Sequence, residues 1–263
     1  MEQSIRTPFG ALLRQWREAR RYSQLDLALE ANISSKHVSF LETGRNQPSR
    51  DMILRLSNAM EVPLRDRNLL FRAAGFAEAY AESSLEAPAM SQVDEALTRI
   101  LEKHEPYPAM VIDASWRIVR QNQGAVKLLG MFVPEPPSDN AFEVLFSERG
   151  LQPYVDAWER LSSILLMRLF REALAAVDAP EKMALFQRIE AMPTTPHNWR
   201  ELASRLPDGP TIDLVLHRND ERLQFFTTVT TVGTPQDVTL QELKIESYFP
   251  SDAATRELCE SWR

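Results

Sequence analysis

The stretch from Gln24 to Ser49 restricts the fold more than any other part of the sequence. Ala28 is small enough for a second helix to cross over it at close range. Four positions later, Asn32 tolerates the left-handed backbone that a tight corner demands. Ten positions after Ala28, Val38 offers an aliphatic side chain to lock the second helix in place. A small residue, a permissive corner and an aliphatic lock in one register describe two short helices joined by a tight turn.

The flanking sequence predicts three more helices around this pair. Thr7-Pro8 is expected to open the first, with the threonine hydroxyl as cap and proline at the first helical position. Phe9, Leu12, Leu13, Trp16 and Ala19 then follow helical spacing. Ser23 starts the second helix in a capping-box pair with Asp26, and Leu25, Ala28 and Leu29 are expected on its inner face. Ser34 caps the third, whose Val38 and Leu41 face inward and which ends at Gly44. A loop over Arg45 to Ser49 leads to a fourth helix from about Asp51 to Met60, with Ile53, Leu56 and Ala59 inside. A fifth spans Leu64 to Ala74 and is stopped by Gly75. Short connections between five helices predict an all-α domain over residues 1–77.

Charge divides the chain. Residues 1–80 hold 12 basic and 9 acidic side chains, whereas residues 81–263 hold 18 and 28. The net charge of -7 therefore conceals a basic N-terminal part, the asymmetry expected when one end meets phosphate. With 44% hydrophobic and 25% charged residues the chain can build a core, which argues against disorder.

Cys259 is the single cysteine, so an internal disulfide is excluded. Met1 to Arg6 has no apolar run of the signal-peptide kind, and Ile164 to Met167 is closed by Arg168, far short of the ~20 apolar residues of a membrane span. A cytoplasmic location without membrane association is expected. Eight glycines include no phosphate-binding loop, and His37, His104, His197 and His217 lack metal-ligand spacing. The expectation is a protein without catalytic residues, metal or cofactor, and not an enzyme.

Residues 78–90, small and acidic with Pro88, are expected to be a linker. Val93, Ala96, Leu97, Ile100 and Leu101 predict a helix over 91–104. Met110, Ile112 and Ile118 about a polar turn predict a hairpin, and helices are expected at 123–130, 153–177, 181–192 and 197–206. Three runs predict strands: Ile212 to His217, Leu223 to Val232, and one holding Leu240, Leu243, Ile245 and Tyr248. Asn219-Asp220 and Gly233-Thr234-Pro235 mark the turns between them. Residues 91–263 are thus expected to form an α+β domain with a mostly antiparallel sheet.

Ser23-Gln24, Ala28, Ser34, Leu41-Glu42, Gly44, Pro48-Ser49 and the helix ending Ala59-Met60-Glu61-Val62-Pro63 resemble the XRE-type, phage-repressor-like helix-turn-helix family. Asn32 departs from it, since glycine is commoner there. The resemblance implies a sequence-specific transcription regulator that binds double-stranded DNA, as a homodimer on a palindromic operator. Ser35, Lys36, Ser39 and Phe40 would face the major groove, His37 would reach phosphate or a base edge, and Gln24, Arg45 and Asn46 would meet phosphates. The dimer contact is expected in the fifth helix, the 91–104 helix or the second domain.

In the second domain, Tyr107 to Asp113, Trp116 to Asn122, Phe225 to Pro235 and Phe249 to Asp252 resemble a PAS-like sensor of the MmyB-like ligand-binding type. That resemblance implies an internal cavity for a small lipophilic, fatty-acid-like molecule, whose binding modulates DNA binding through the 78–104 segment. Candidate ligand-binding residues are Trp116, Trp158, Met167, Phe170, Trp199, His217 and Phe225. The same aromatics also suit a core or a contact surface, so the alternative is a domain that only dimerises or binds another protein.

Overall fold

Three serines set where successive N-terminal helices begin. Ser23 Oγ accepts from Asp26 N at 3.1 Å while Asp26 Oδ2 accepts from Ser23 N at 2.8 Å, a closed capping box. Ser34 Oγ and Ser49 Oγ accept from His37 N and Met52 N, each at 3.2 Å. Each such cap satisfies an otherwise orphaned donor and contributes about 1 kcal/mol.

The computed structural model describes residues 8–175, 180–205, 211, 213–219 and 221–263. Met1 to Thr7, the strand position Ile212, the turn residue Asp220, and the ends of two expected helices at 176–177 and 206 lie outside the described residues. The described chain falls into two units. In the first, α1 (Phe9–Ala19), α2 (Gln24–Glu30), α3 (Ser35–Glu42), α4 (Arg50–Ala59) and α5 (Leu64–Ala73) surround a core of Leu13, Trp16, Leu27, Val38, Leu41, Ile53 and Phe71. The α2–α3 corner turns at Asn32, whose φ is +53°, as the sequence requires.

Two local expectations change. Pro8 occupies the N-cap position of α1, not its first turn. On α2 the buried side chains are Leu27 and Ala28, while Leu25 and Leu29 are 58% and 72% exposed. The reason is rotational: Ala28 must face the crossing helix, which brings Leu27 and Ala31 beside it and turns Leu25 and Leu29 outward.

A buried ion pair ties the corner to the first helix. Arg17 Nε donates to Glu42 Oε1 at 2.6 Å, Arg17 Nη2 to Glu42 Oε2 at 3.2 Å, and Gln24 Nε2 to the same Oε2 at 2.8 Å. The Arg17 guanidinium, held above its ordinary pKa chiefly by its bond to Glu42, also donates to Tyr22 O at 2.8 Å. Past α5, the chain stays attached to it: Asn68 Oδ1 accepts from Ala79 N and Tyr80 N, and Asn68 Nδ2 donates to Tyr80 O. The segment Thr234–Gln241 belongs to the same unit. It makes a parallel bridge between Asp237 and Ala81, and Gln241 Oε1 accepts from Leu64 N at 2.7 Å, capping α5 where Pro63 has no side-chain donor or acceptor to offer.

In the second unit, α6 (Ser91–His104) leads to a hairpin of β1 (Ala109–Ile112) and β2 (Ile118–Gln121). There follow α7 (Gln123–Phe132), α8 (Ala141–Phe146), α9 (Trp158–Ala175), α10 (Pro180–Glu190) and α11 (Trp199–Ser204). The unit ends in β3 (Asp213–Arg218), β4 (Glu221–Thr231), β5 (Lys244–Pro250) and α13 (Ala253–Glu260), while α12 (Val238–Glu242), between β4 and β5, lies almost wholly in the segment that belongs to the first unit. The described strands form one antiparallel sheet in the order β2-β1-β5-β4-β3. Sequence periodicity missed α8, and it placed Leu240 in a strand although it lies in α12. Both helices are too short for a 3.6-residue period to show.

Asn122 fastens hairpin to helices: its Oδ1 accepts from Ala109 N and Ala125 N, and its Nδ2 donates to Tyr107 O and Leu101 O. Along β1, Met110 and Ile112 join one apolar cluster with Phe142, Leu166 and Ile189, and the alternate residues Ala109 and Val111 are buried on the side opposite. A second cluster gathers Leu128, Val144, Leu161, Leu216 and Phe225.

Removing the carboxylate in Glu42→Ala leaves Arg17 buried without its partner and should cost the first unit about 3 kcal/mol, read as faster amide hydrogen exchange throughout α1 to α3. Asn32→Val, a β-branched residue at positive φ, should lower the same exchange stability by about 1–2 kcal/mol, and Asn32→Gly by less. Equal protection in Asn32→Val and the parent would show that the corner does not constrain the fold.

Candidate nucleic-acid interface and ligand cavity

The outer side of α3 is available because its inner side is so fully used. Val38 and Leu41 are 0% and 1% exposed, and Glu42 is engaged by Arg17 and Gln24. Ser35 and Lys36 are exposed in the first turn, and His37, Ser39 and Phe40 are half-buried. Lys36 Nζ lies 5.5 Å from the centre of the Phe40 ring and the Arg45 guanidinium 5.7 Å from it. Two cations thus stand against one ring, a favourable arrangement with the electron-rich face. Arg45 N and Asn46 N both bond to Phe40 O, folding the loop after Gly44 back against the helix end with the Arg45 and Asn46 side chains exposed.

Of the residues singled out for DNA contact, Ser35, Lys36, Ser39, Phe40, Arg45 and Asn46 therefore share α3 and the loop that closes it. His37 is on α3 as well, its amide capped by Ser34. Gln24 stands apart. Its amide nitrogen is engaged by Glu42, which leaves its carbonyl oxygen as the free end.

The second unit contains a cavity of about 160 Å³ between its two apolar clusters. Met110, Trp116 and Phe142 contribute from one cluster, Leu128, Leu161 and Leu214 from the other. A volume of this size matches cavities that take up ring-sized apolar guests. Among the candidate ligand residues, only Trp116 is in the wall. Phe225 is fully buried in the core, and Trp158 packs edge-on against Phe146 while its Nε1 donates to Thr194 O. Phe170 and Trp199 form an aromatic group with Phe186, and Met167 packs against the same cluster. His217 is exposed on β3, 3.5 Å from Asp156 Oδ2. These aromatics pack against one another because ring faces and edges satisfy each other better than an empty lumen does.

Polar wall residues lay beyond periodicity. Arg168, Thr227, Glu246 and Tyr248 line the cavity, and three of them sit on adjacent strands β4 and β5. Glu246 and Tyr248 share one face of β5 with Lys244, so alternation alone gives them the signature of a solvated strand face. Trp116 organises the polar end from the hairpin turn, where its φ is +64°, a costly conformation for a bulky residue. Its Nε1 donates to Glu172 Oε2 at 3.0 Å, and Arg168 and Lys244 stand 4.6 and 4.3 Å from its ring centre. Lys244 Nζ also donates to Glu172 Oε2 at 2.8 Å, and Arg168 Nε to Oε1 at 3.3 Å.

Burial lowers the Lys244 pKa from its ordinary value and raises that of Glu246, and it lifts the Tyr248 phenol well above its usual range. Cys259, 0% exposed, has its thiol pushed up to about 12 by burial, which leaves it a core side chain rather than a thiolate nucleophile. Among the described residues no cluster of three or more His, Cys, Asp and Glu could hold a metal, and no helix is long and apolar enough to cross a membrane.

Two family models match the chain, one over each of its parts. Residues 13–66 match the helix-turn-helix family model, and residues 93–261 match that of the MmyB-like transcription regulator ligand binding domain. An uncharacterized HTH-type transcriptional regulator of Bacillus subtilis (strain 168), RghRB, is 37% identical over 82 residues, which are 31% of this chain and 57% of that protein. The chain therefore spans little more than half of that relative. A solved structure of an RNA-binding light-oxygen-voltage receptor aligns with 97% of this chain and 62% of its own, at 13% identity and a TM-score of 0.30, too loose a superposition to inform the fold. With its N-terminal helix-turn-helix and a ligand-binding domain matched over most of the remaining length, the chain belongs to the MmyB-like transcription regulators.

Proposed function

We propose that the protein binds operator DNA as a homodimer, placing α3 of each subunit in the major groove, and that a small lipophilic molecule in the second unit's cavity adjusts this binding. The observation that carries the reading is the exposed edge of α3, where Lys36 and Arg45 flank Phe40 on a helix whose opposite side is locked into the core. Lys36 is suited to a guanine edge and Phe40 to a thymine methyl, while Arg45 and Asn46 fix register on phosphates. One recognition helix reads half a site, so a two-fold pair spaced about one helical turn apart supports a palindromic operator.

The effector we favour is fatty-acid-like in having an apolar body and a single polar head. The cavity's mostly aliphatic and aromatic wall supports the body, and its cluster of polar groups supports the head. Two stretches of chain serve as relay. One is 78–104, which runs from the first unit to β1. The other is Thr234–Gln241, which joins cavity strands β4 and β5 and caps α5 through Gln241. A shift of ~1.4 kcal/mol between two arrangements of the recognition helices changes operator affinity tenfold.

Selection of bound sites from random DNA should yield a palindrome. On it, Lys36→Ala and Arg45→Ala should each weaken binding and lower the slope of log affinity against log salt by roughly one unit for each phosphate left unneutralised. Unaltered affinity in the double variant would reject this surface. Denaturing extraction of the purified protein followed by mass spectrometry should release a lipophilic molecule, and adding it back should move operator affinity; a bound molecule with no effect on DNA binding would dismiss the sensor reading.

A further inference from the structure

The cavity's polar end is unbalanced, and the imbalance specifies the head group of its occupant; this step rests on the ligand-sensing reading above. Glu172 uses Oε1 for Arg168 and Oε2 for both Lys244 and Trp116. Two cations thus share one carboxylate. Arg168, bound to Glu172 only through Nε at 3.3 Å, has its two terminal nitrogens without a partner among the described residues. Across the same lumen, the Glu246 carboxyl receives a single long bond, 3.4 Å from Tyr248 Oη. Although Arg168 and Glu246 line one cavity, no ion pair joins them among the described residues.

The donors of Arg168 and the acceptors of Glu246 line the same lumen, where one guest can engage both. A carboxylate has acceptors alone. It would serve Arg168 but set a second negative oxygen beside Glu246. A head with a donor next to an acceptor serves both walls at once. We infer that the cavity selects an apolar chain ending in an uncharged head with a hydrogen-bond donor beside an acceptor, such as a primary amide, over the same chain ending in carboxylate, and that Glu246 is the specificity-determining residue.

A carboxylate then enters only with a proton, held between its own oxygen and Glu246. The charged and titratable groups facing Glu246 are Arg168 from α9 and Lys244 and Tyr248 from its own strand; the first two favour the carboxylate form and burial opposes it. Where Glu246 is ionised in the free protein, the complex with a carboxylate holds one more proton than its parts. Its affinity therefore falls as pH rises, by at most tenfold per unit, while that of the amide stays level.

The test uses the full chain, with hexanamide and hexanoate as probes and the Trp116 indole N–H resonance as reporter of cavity occupancy. At pH 8 hexanamide should bind at least tenfold more tightly than hexanoate, and the gap should narrow toward pH 6. Glu246→Gln, near-isosteric and neutral, should tighten hexanoate binding tenfold or more and abolish its pH dependence. Equal or inverted affinities at pH 8 in the parent protein overturn the inference without recourse to the variant, as does an unchanged hexanoate affinity in folded Glu246→Gln. If neither probe, nor hexane added as an apolar control, perturbs Trp116 at any pH, the lipophilic-ligand reading falls and the head-group preference with it; hexane binding alone refutes only the latter.

Discussion

Everything the N-terminal unit presents to its surroundings depends on the Glu42 carboxylate being used internally. Left free at the end of α3, it would set a negative charge beside Lys36 and Arg45 on the surface proposed for DNA, where phosphates would repel it. Buried between Arg17 and Gln24, it ties α1, α2 and α3 together. The desolvation this entails is offset by two-pronged geometry and by the Arg17 bond to Tyr22 O. Gly10 fits the same junction: a Cβ there would lie 2.4 Å from Glu42 O, so α1 approaches the end of α3 as closely as backbone permits. With three helices held at one point, the outer edge of α3 is rigid before it meets anything, and little ordering entropy is left to lose on binding.

The second unit solves a comparable problem with the opposite result. Glu172 gathers Arg168, Lys244 and the Trp116 indole as Glu42 gathers Arg17 and Gln24, with the Glu246 carboxyl a second acidic group close to both cations. Around Glu42 the carboxylate is used by Arg17 and Gln24 together, and the product is a fixed surface. Around the cavity Arg168 bonds to Glu172 through Nε alone and Glu246 receives one long bond from Tyr248, and both line the lumen. Strained backbone at Trp116 and a buried carboxyl at Glu246 lie at the same end of that lumen.

The helix-turn-helix was legible because its constraints are local. Ala28, Asn32 and Val38 lie within eleven residues, and serine caps act over three. Where side chains point was less legible: the sequence offers leucine at 25, 27 and 29, and only the crossing at Ala28 decides that Leu27 goes inward. The PAS-like sheet could be anticipated from period-two runs, but α8 and α12 are too short to register. The cavity was the least legible part. Bulky aromatics were the natural candidates for its wall, yet Phe170, Trp199 and Phe225 fill core. The polar wall comes instead from Arg168, Glu246 and Tyr248, residues whose types suggest solvent and whose burial is set by strand order β1-β5-β4, a long-range property.

That strand order also gives the chain a reason to connect β4 and β5 as it does. A two-residue turn would close this antiparallel pair. The connection instead runs through Thr234–Gln241, which buries Val238 and places Gln241 at the start of α5. α5 begins at Pro63, which supplies no capping side chain, so a carbonyl from elsewhere in the sequence fills the vacancy. The strands that carry Thr227, Glu246 and Tyr248 are thereby covalently continuous with a cap on the helix-turn-helix unit. Gln241 stands three residues before β5 begins at Lys244, so the cap and the strand belong to one short run of chain.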